Sequence, residues 1–114
     1  MRREKLYLED IIEAANAIAS FVQGQTVESF ESSNVLESAV AYQLMIIGEA
    51  VSRLSDDLKK RYPETPWGDI AGLRNQAVHN YFGLIWDQIW DTATEEVPAL
   101  RAQIEEILRK EFPT

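Results

Sequence analysis

Cysteine is absent from the 114 residues, and histidine occurs once. The first absence excludes a disulfide framework and any thiolate metal site. The second excludes a histidine-rich metal site. Basic residues are scarce too: 11 Lys and Arg face 19 Asp and Glu, a net charge of −8. Affinity for phosphate backbones comes largely from cations, so this balance argues against a module that coats a duplex. A nucleic-acid enzyme would have to gather its few cations in one cleft or borrow them from a partner. Long apolar runs are missing as well. None approaches the ~20 residues of a membrane span, so no membrane partner is expected. The opening MRREKLYLEDIIEA is broken by Glu4, Glu9, Asp10 and Glu13. No signal peptide is expected there, and the cytoplasm is the predicted compartment. Strand-period alternation, internal repeats and low-complexity tracts are also lacking.

What is present reads as helix. Hydrophobic residues make up 46% and charged ones 26%, an ordinary globular balance that predicts one domain over residues 1–114. Ile11, Ala15, Ile18 and Val22 form one stripe at helical spacing, and Gly24 is placed to end it. Gln25–Ser32 reads as a connection that tucks Phe30 onto the bundle. A second helix should begin near Ser33 or Asn34, with Asn34 and Glu37 spaced as a capping box, and run unbroken to Pro63. Its stripe is Val40, Leu44, Ile47, Val51, Leu54 and Leu58. Thr65 and Pro66 read as N-cap and first position of a third helix, buried through Ile70, Leu73 and Ala77 and ending near Asn80. The last segment, from Ile85 to about Lys110, should be kinked or split by Pro98. The fold class is all-α: an antiparallel bundle of four or five helices.

The densest chemistry lies in Gly72–Gly83, which holds the single histidine. Arg74 and Tyr81 are seven apart, and on an ideal helix they share a face. Asn75 and His79 are four apart, so Asn75 could hold the imidazole in one tautomer. Arg74 and His79 are five apart, which is not a same-face spacing. To meet on one phosphate, Arg74 must reach around, the helix must end early, or two chains must build the site. The set suits phosphodiester cleavage without metal or cofactor. RNA brings its own ribose hydroxyl nucleophile, an imidazole can move its proton, and a guanidinium fork grips the phosphate. Acid–base cleavage wants two proton-transfer groups, and a twofold dimer would supply two copies of His79 and Arg74. Taken singly, the same residues also fit a capping histidine, an ion-paired arginine and a bundle tyrosine.

Other residues have two readings each. Glu49 could orient a motif residue or simply be a solvated helix glutamate. Gly48 suits close helix packing better than a phosphate loop. Trp67, Trp86 and Trp90 could stack bases, but core packing is favoured for Trp86 and Trp90. Lys59, Lys60 and Arg61 form the single basic cluster. They would guide RNA towards the site, or answer a helix dipole.

The chain resembles the HEPN domains, specifically the HepT-type toxins encoded beside a minimal nucleotidyltransferase (MNT) antitoxin. The resemblance rests on Arg74, Asn75, His79 and Tyr81. It is supported by Ile46-Ile47-Gly48-Glu49-Ala50, Arg61-Tyr62-Pro63 with Pro66-Trp67, and Gly72-Leu73-Arg74-Asn75. It spans nearly the whole chain and is strongest from about Leu44 to Gly83. It implies a four- or five-helix bundle, a homodimer with the motif at its interface, and metal-independent RNA cleavage with Arg74, Asn75 and His79 as catalytic residues. It further implies a type VII-like toxin–antitoxin pair, in which the nucleotidyltransferase silences the toxin by moving AMP from ATP onto Tyr81. The added bulk and negative charge would block the phosphate site. Some HEPN proteins are binding modules without nuclease activity, so the alternative is a non-catalytic partner for a nucleotidyltransferase or a nucleotide.

Overall fold

The computed structural model describes residues 2–114. Its first helix, α1 (Arg2–Val22), buries Leu8, Ile11, Ala15 and Ile18, so the expected stripe extends one turn further towards the N-terminus. Gly24 follows at φ 75°, a left-handed turn that costs glycine little. The expected connection contains a helical turn, α2 (Val27–Glu31), that the periodicity was too short to reveal. Thr26 and Ser29 cap it reciprocally: each side chain accepts from the other's backbone N–H. The turn carries Phe30 into the core, fully buried between Trp86 and Trp90 at ring distances of 6.0 and 5.4 Å.

Helix α3 (Asn34–Ser52) is capped by Ser33, whose hydroxyl accepts from Leu36 N–H at 3.1 Å. The expected Asn34–Glu37 box does not form, because Glu37 turns inward and is buried. The second helix is also not continuous. It stops at Ser52 and restarts as α4 (Asp56–Arg61). Ser55 caps α4 by accepting from Leu58 N–H, Asp56 and Asp57 fill the first turn, and Ser55 N–H is itself taken by Glu4 of α1 at 2.6 Å. A serine followed by two aspartates is a start signal inside an apolar stripe. Leu54 and Leu58 remain buried on either side of the break.

Helix α5 (Trp67–His79) starts one residue later than expected, with Pro66 at the cap position and no side-chain cap. Thr65 is buried instead. The Trp67 indole anchors this end by donating to the carbonyls of Lys59 and Tyr62 at 3.1 and 3.0 Å. After a tight turn at Tyr81–Gly83 come α6 (Trp86–Asp91), a widened turn at Thr92–Glu96, and α7 (Val97–Glu111). Pro98 has no N–H to give the carbonyl four residues back, and the wide turn lies where that bond is missing. The backbone stays helical from Trp86 through Glu111, so Pro98 widens one turn of the last segment without splitting it.

The chain is all-helical. Four long elements form the bundle: α3 packs between α1 and α5, and α7 packs on α1 and faces α5 across a cavity that Ile47 of α3 also lines. Neighbours run antiparallel. Ser55 at the end of α3 meets Glu4 at the start of α1, and Arg101 early in α7 meets Asn16 late in α1 at 2.6 Å. By length and composition alone α3 could cross a membrane. In the bundle its Val40, Leu44, Ile47 and Val51 belong to the shared core.

Candidate nuclease site

The motif's position depends on Gly48. A methyl group there would lie 2.7 Å from the Arg74 nitrogen and 3.1 Å from the Ile70 carbonyl. Only a glycine lets α5 come so close to α3, so Gly48 is a packing residue as expected. Trp67 and Ile70 hold the first half of α5 in the core. From Asn75 onward most side chains are exposed: Asn75, Gln76, Val78, His79 and Asn80. The motif therefore starts in the core and runs out along an open edge.

Arg74 lies where α5 crosses α3. Its Nε pairs with Glu49 Oε1 at 3.0 Å, and Glu49 Oε2 accepts from Arg53 Nε at 3.0 Å. One carboxylate thus ties two guanidinium groups at their inner nitrogens. The Arg53 guanidinium is held above its usual pKa by Glu49 and, next, by Tyr7. Asn75 Oδ1 accepts from Arg74 Nη1 at 3.3 Å. Asn75 therefore serves the arginine, and the expected Asn75–His79 bond is not formed. His79, the last residue of α5, is exposed, and no described side chain bonds its imidazole.

Asn80 leaves the helix at φ −142°, ψ 39°, which places Tyr81 in the tight turn. The same-face relation expected for Arg74 and Tyr81 therefore ends with the helix, although both reach α3. The Tyr81 hydroxyl shares a hydrogen bond with Ser38 at 3.0 Å, and its ring stacks edge-on against Phe82 and Trp86 at 5.7 and 5.6 Å. Ser38 and Glu49 are eleven residues apart, roughly 16 Å along a helix. The motif is thus a strip with an arginine end and a tyrosine end. Because α5 is helical through His79, Arg74 and His79 point in different directions within one chain.

The two ends differ in charge. Near Tyr81, Glu37 is buried, and burial pushes its carboxyl up. Glu31 is also raised, chiefly by its hydrogen bond with Asp87. The cations are at the arginine end. Lys59, Lys60 and Arg61 are elsewhere, beside Trp67 at the start of α5, about 18 Å along the axis from His79. Arg61 is bound to Glu111 at 2.7 and 3.1 Å. Trp67, Trp86 and Trp90 are structural: the first is buried, the others pack on Phe30. Sequence reasoning passed over Ser38 and Tyr42, and read Arg53 only as a cation suited to a helix end. A usable signal was there: Ser38 and Tyr42, like Glu49 and Arg53, are four apart on α3.

The Ribonuclease HepT-like family model matches residues 11–107. The chain belongs to the HepT-like ribonuclease family. It is 38% identical over 111 residues to "Putative RNase TTE0752" of Caldanaerobacter subterraneus subsp. tengcongensis, covering 97% of this chain and 99% of that one. It is 37% identical over 106 residues to "Probable ribonuclease HepT" of Thermococcus cleftensis, covering 93% and 96%. A third relative, "Putative RNase MJ1216" of Methanocaldococcus jannaschii, is 33% identical over 105 residues, covering 92% and 87%. No solved structure matches the chain. The HepT-like assignment agrees with the all-helical bundle.

Proposed function

We propose that this HepT-like chain is a metal-independent endoribonuclease toxin of the cytoplasm, active as a homodimer and silenced by AMP transfer to Tyr81 from a nucleotidyltransferase antitoxin. One observation carries the reading. His79 is exposed and bonded by no described side chain, while Arg74, on the same helix, is held at Nε by Glu49 and at Nη1 by Asn75, with Nη2 left to face a phosphate. In the cleavage step the ribose 2′-oxygen bonds to phosphorus and the 5′-oxygen leaves. A neutral imidazole accepts the 2′-hydroxyl proton, and an imidazolium returns one to the 5′-oxygen. The products are a 2′,3′-cyclic phosphate and a 5′-hydroxyl end. Arg74 neutralises the charge that builds on the phosphate oxygens, and Asn75 orients Arg74.

A dimer supplies what one chain separates. Val35 and Tyr42 are exposed on α3, one turn either side of Ser38, and Val78 and the fully exposed Phe82 flank His79 and Tyr81. Exposed apolar side chains grouped along a motif suit a self-complementary interface, which would set two copies of His79 and Arg74 face to face. At the tyrosine end, AMP on Tyr81 would break the bond to Ser38 and put a phosphate beside the strip. The acidic balance of the chain favours a second reading, a non-catalytic module that binds the nucleotidyltransferase.

The test is RNA cleavage by chain of unmodified intact mass, with chelator present, beside His79→Ala. The expected result is cleavage that leaves cyclic phosphate ends and falls at least about a hundredfold in the variant. Full activity in His79→Ala would overturn the mechanism. No cleavage by unmodified chain would favour the binding module.

A further inference from the structure

Beside the arginine end lies a cleft of about 320 Å³ between α1 and α5, floored by α3. Tyr7 and Asp10 of α1 form one wall, Met45 and Ile46 the apolar floor, and Arg53 and Arg74 the cationic side. We propose that this cleft is a subsite for one ribonucleoside of the bound RNA, next to the phosphate held by Arg74. The inference rests on the nuclease reading and names the part of the substrate that this reading leaves unplaced.

Three features point to a nucleoside. The volume is at the small end of ligand sites, room for a base with its sugar and little more. The surfaces are of two kinds. The aromatic ring and the two aliphatic side chains suit a base face, whereas the Asp10 carboxylate can only accept hydrogen bonds and so selects hydroxyl or N–H donors. A ribose offers a 2′-hydroxyl there and a deoxyribose does not. The charges also balance, Arg53 and Arg74 against Asp10 and Glu49. A neutral cleft suits a nucleoside better than a run of phosphates. Glu49 takes both arginines at Nε, Asn75 takes one N–H of Arg74 Nη1 and Tyr7 adds a hold on Arg53, so the remaining terminal N–H groups are left for a ligand. Arg74 lines both this cleft and the motif, so the base and the phosphate of one strand can be read together.

The test uses the His79→Ala chain, which should bind without cutting. Fluorescence anisotropy compares a short single-stranded RNA with its all-2′-deoxy counterpart. Asp10→Asn, added to that chain, should weaken RNA binding about tenfold and leave the DNA counterpart nearly unchanged. Arg53→Ala should weaken both. Asp10 and Arg53 are exposed, so neither change should alter the melting temperature. RNA binding unchanged in both variants would overturn the subsite, while cleavage by the native chain would keep the nuclease reading standing. If unmodified native chain neither binds nor cuts RNA, both fall.

Discussion

Arg74 shows how far one side chain can be read from its neighbours. Its inner nitrogen is fixed by Glu49, and Asn75 adds a second hold. A guanidinium can do this and still present donors, because its N–H groups lie in one planar fork. An ammonium cannot divide itself so. Arg74→Lys should therefore keep the fold and the charge but lose most cleavage, which steady-state kinetics on an RNA oligonucleotide would measure. Activity near the parent's would mean that charge alone suffices. Glu111 gives a prediction of another kind. Arg61 first, then the Tyr62 hydroxyl at 2.8 Å, hold its carboxyl below the usual carboxylate range. A depressed folded pKa stabilises the fold above the unfolded pKa, and that contribution disappears as pH falls through the folded value. Glu111→Gln should lower the melting temperature at neutral pH, and the gap should close on acidification below about pH 4. A gap that stays constant to pH 2 would show that the loss is not electrostatic. Glu37, raised by burial, works with the opposite sign and favours the fold as it takes up a proton.

At the scale of elements, the crossing of α3 and α5 decides the site. It depends on an atom that is missing, the Cβ of Gly48. The obstruction to a methyl group there is backbone as well as the Arg74 Cβ, so a rotamer change cannot relieve it. Gly48→Ala should move α5 outward, cost about 1–3 kcal/mol in urea denaturation and reduce cleavage as Arg74 draws away from Glu49. Unchanged stability and activity would mean that the helices separate freely. The break between α3 and α4 is a similar local decision. Ser55 with Asp56 and Asp57 starts a new helix inside a stripe that periodicity reads as continuous. Periodicity records which side chains are buried, and a turn that keeps Leu54 and Leu58 buried leaves it unchanged.

For the whole molecule, the question is how a chain of net charge −8 handles an anionic polymer. Charge is sorted along the strip: carboxylates stand alone near Tyr81, whereas at the other end Arg53 and Arg74 balance Asp10 and Glu49. The total charge therefore says little about the cleft. The assembly is the other whole-molecule matter. Phe82 is fully exposed beside Tyr81, where an aromatic ring gains nothing from water. Phe82→Glu should leave the monomer fold intact, convert dimer to monomer in light scattering and abolish cleavage with it. A parent chain that stays monomeric at every concentration would remove the dimer from the mechanism.

The sequence by itself determined the helical class, most of the buried stripes, the disturbance at Pro98 and the family. These depend on spacing and residue type, which are local properties of the chain. It also showed that Arg74 and His79 do not share a helical face. It did not show that Asn75 would turn to Arg74 rather than His79, that Glu49 would hold two arginines, or that Tyr81, just past the helix end, would meet Ser38. Those are choices among equally good local partners, made when α3 and α5 come together at Gly48. Only tertiary structure sets that distance, and with it which donors and acceptors can meet.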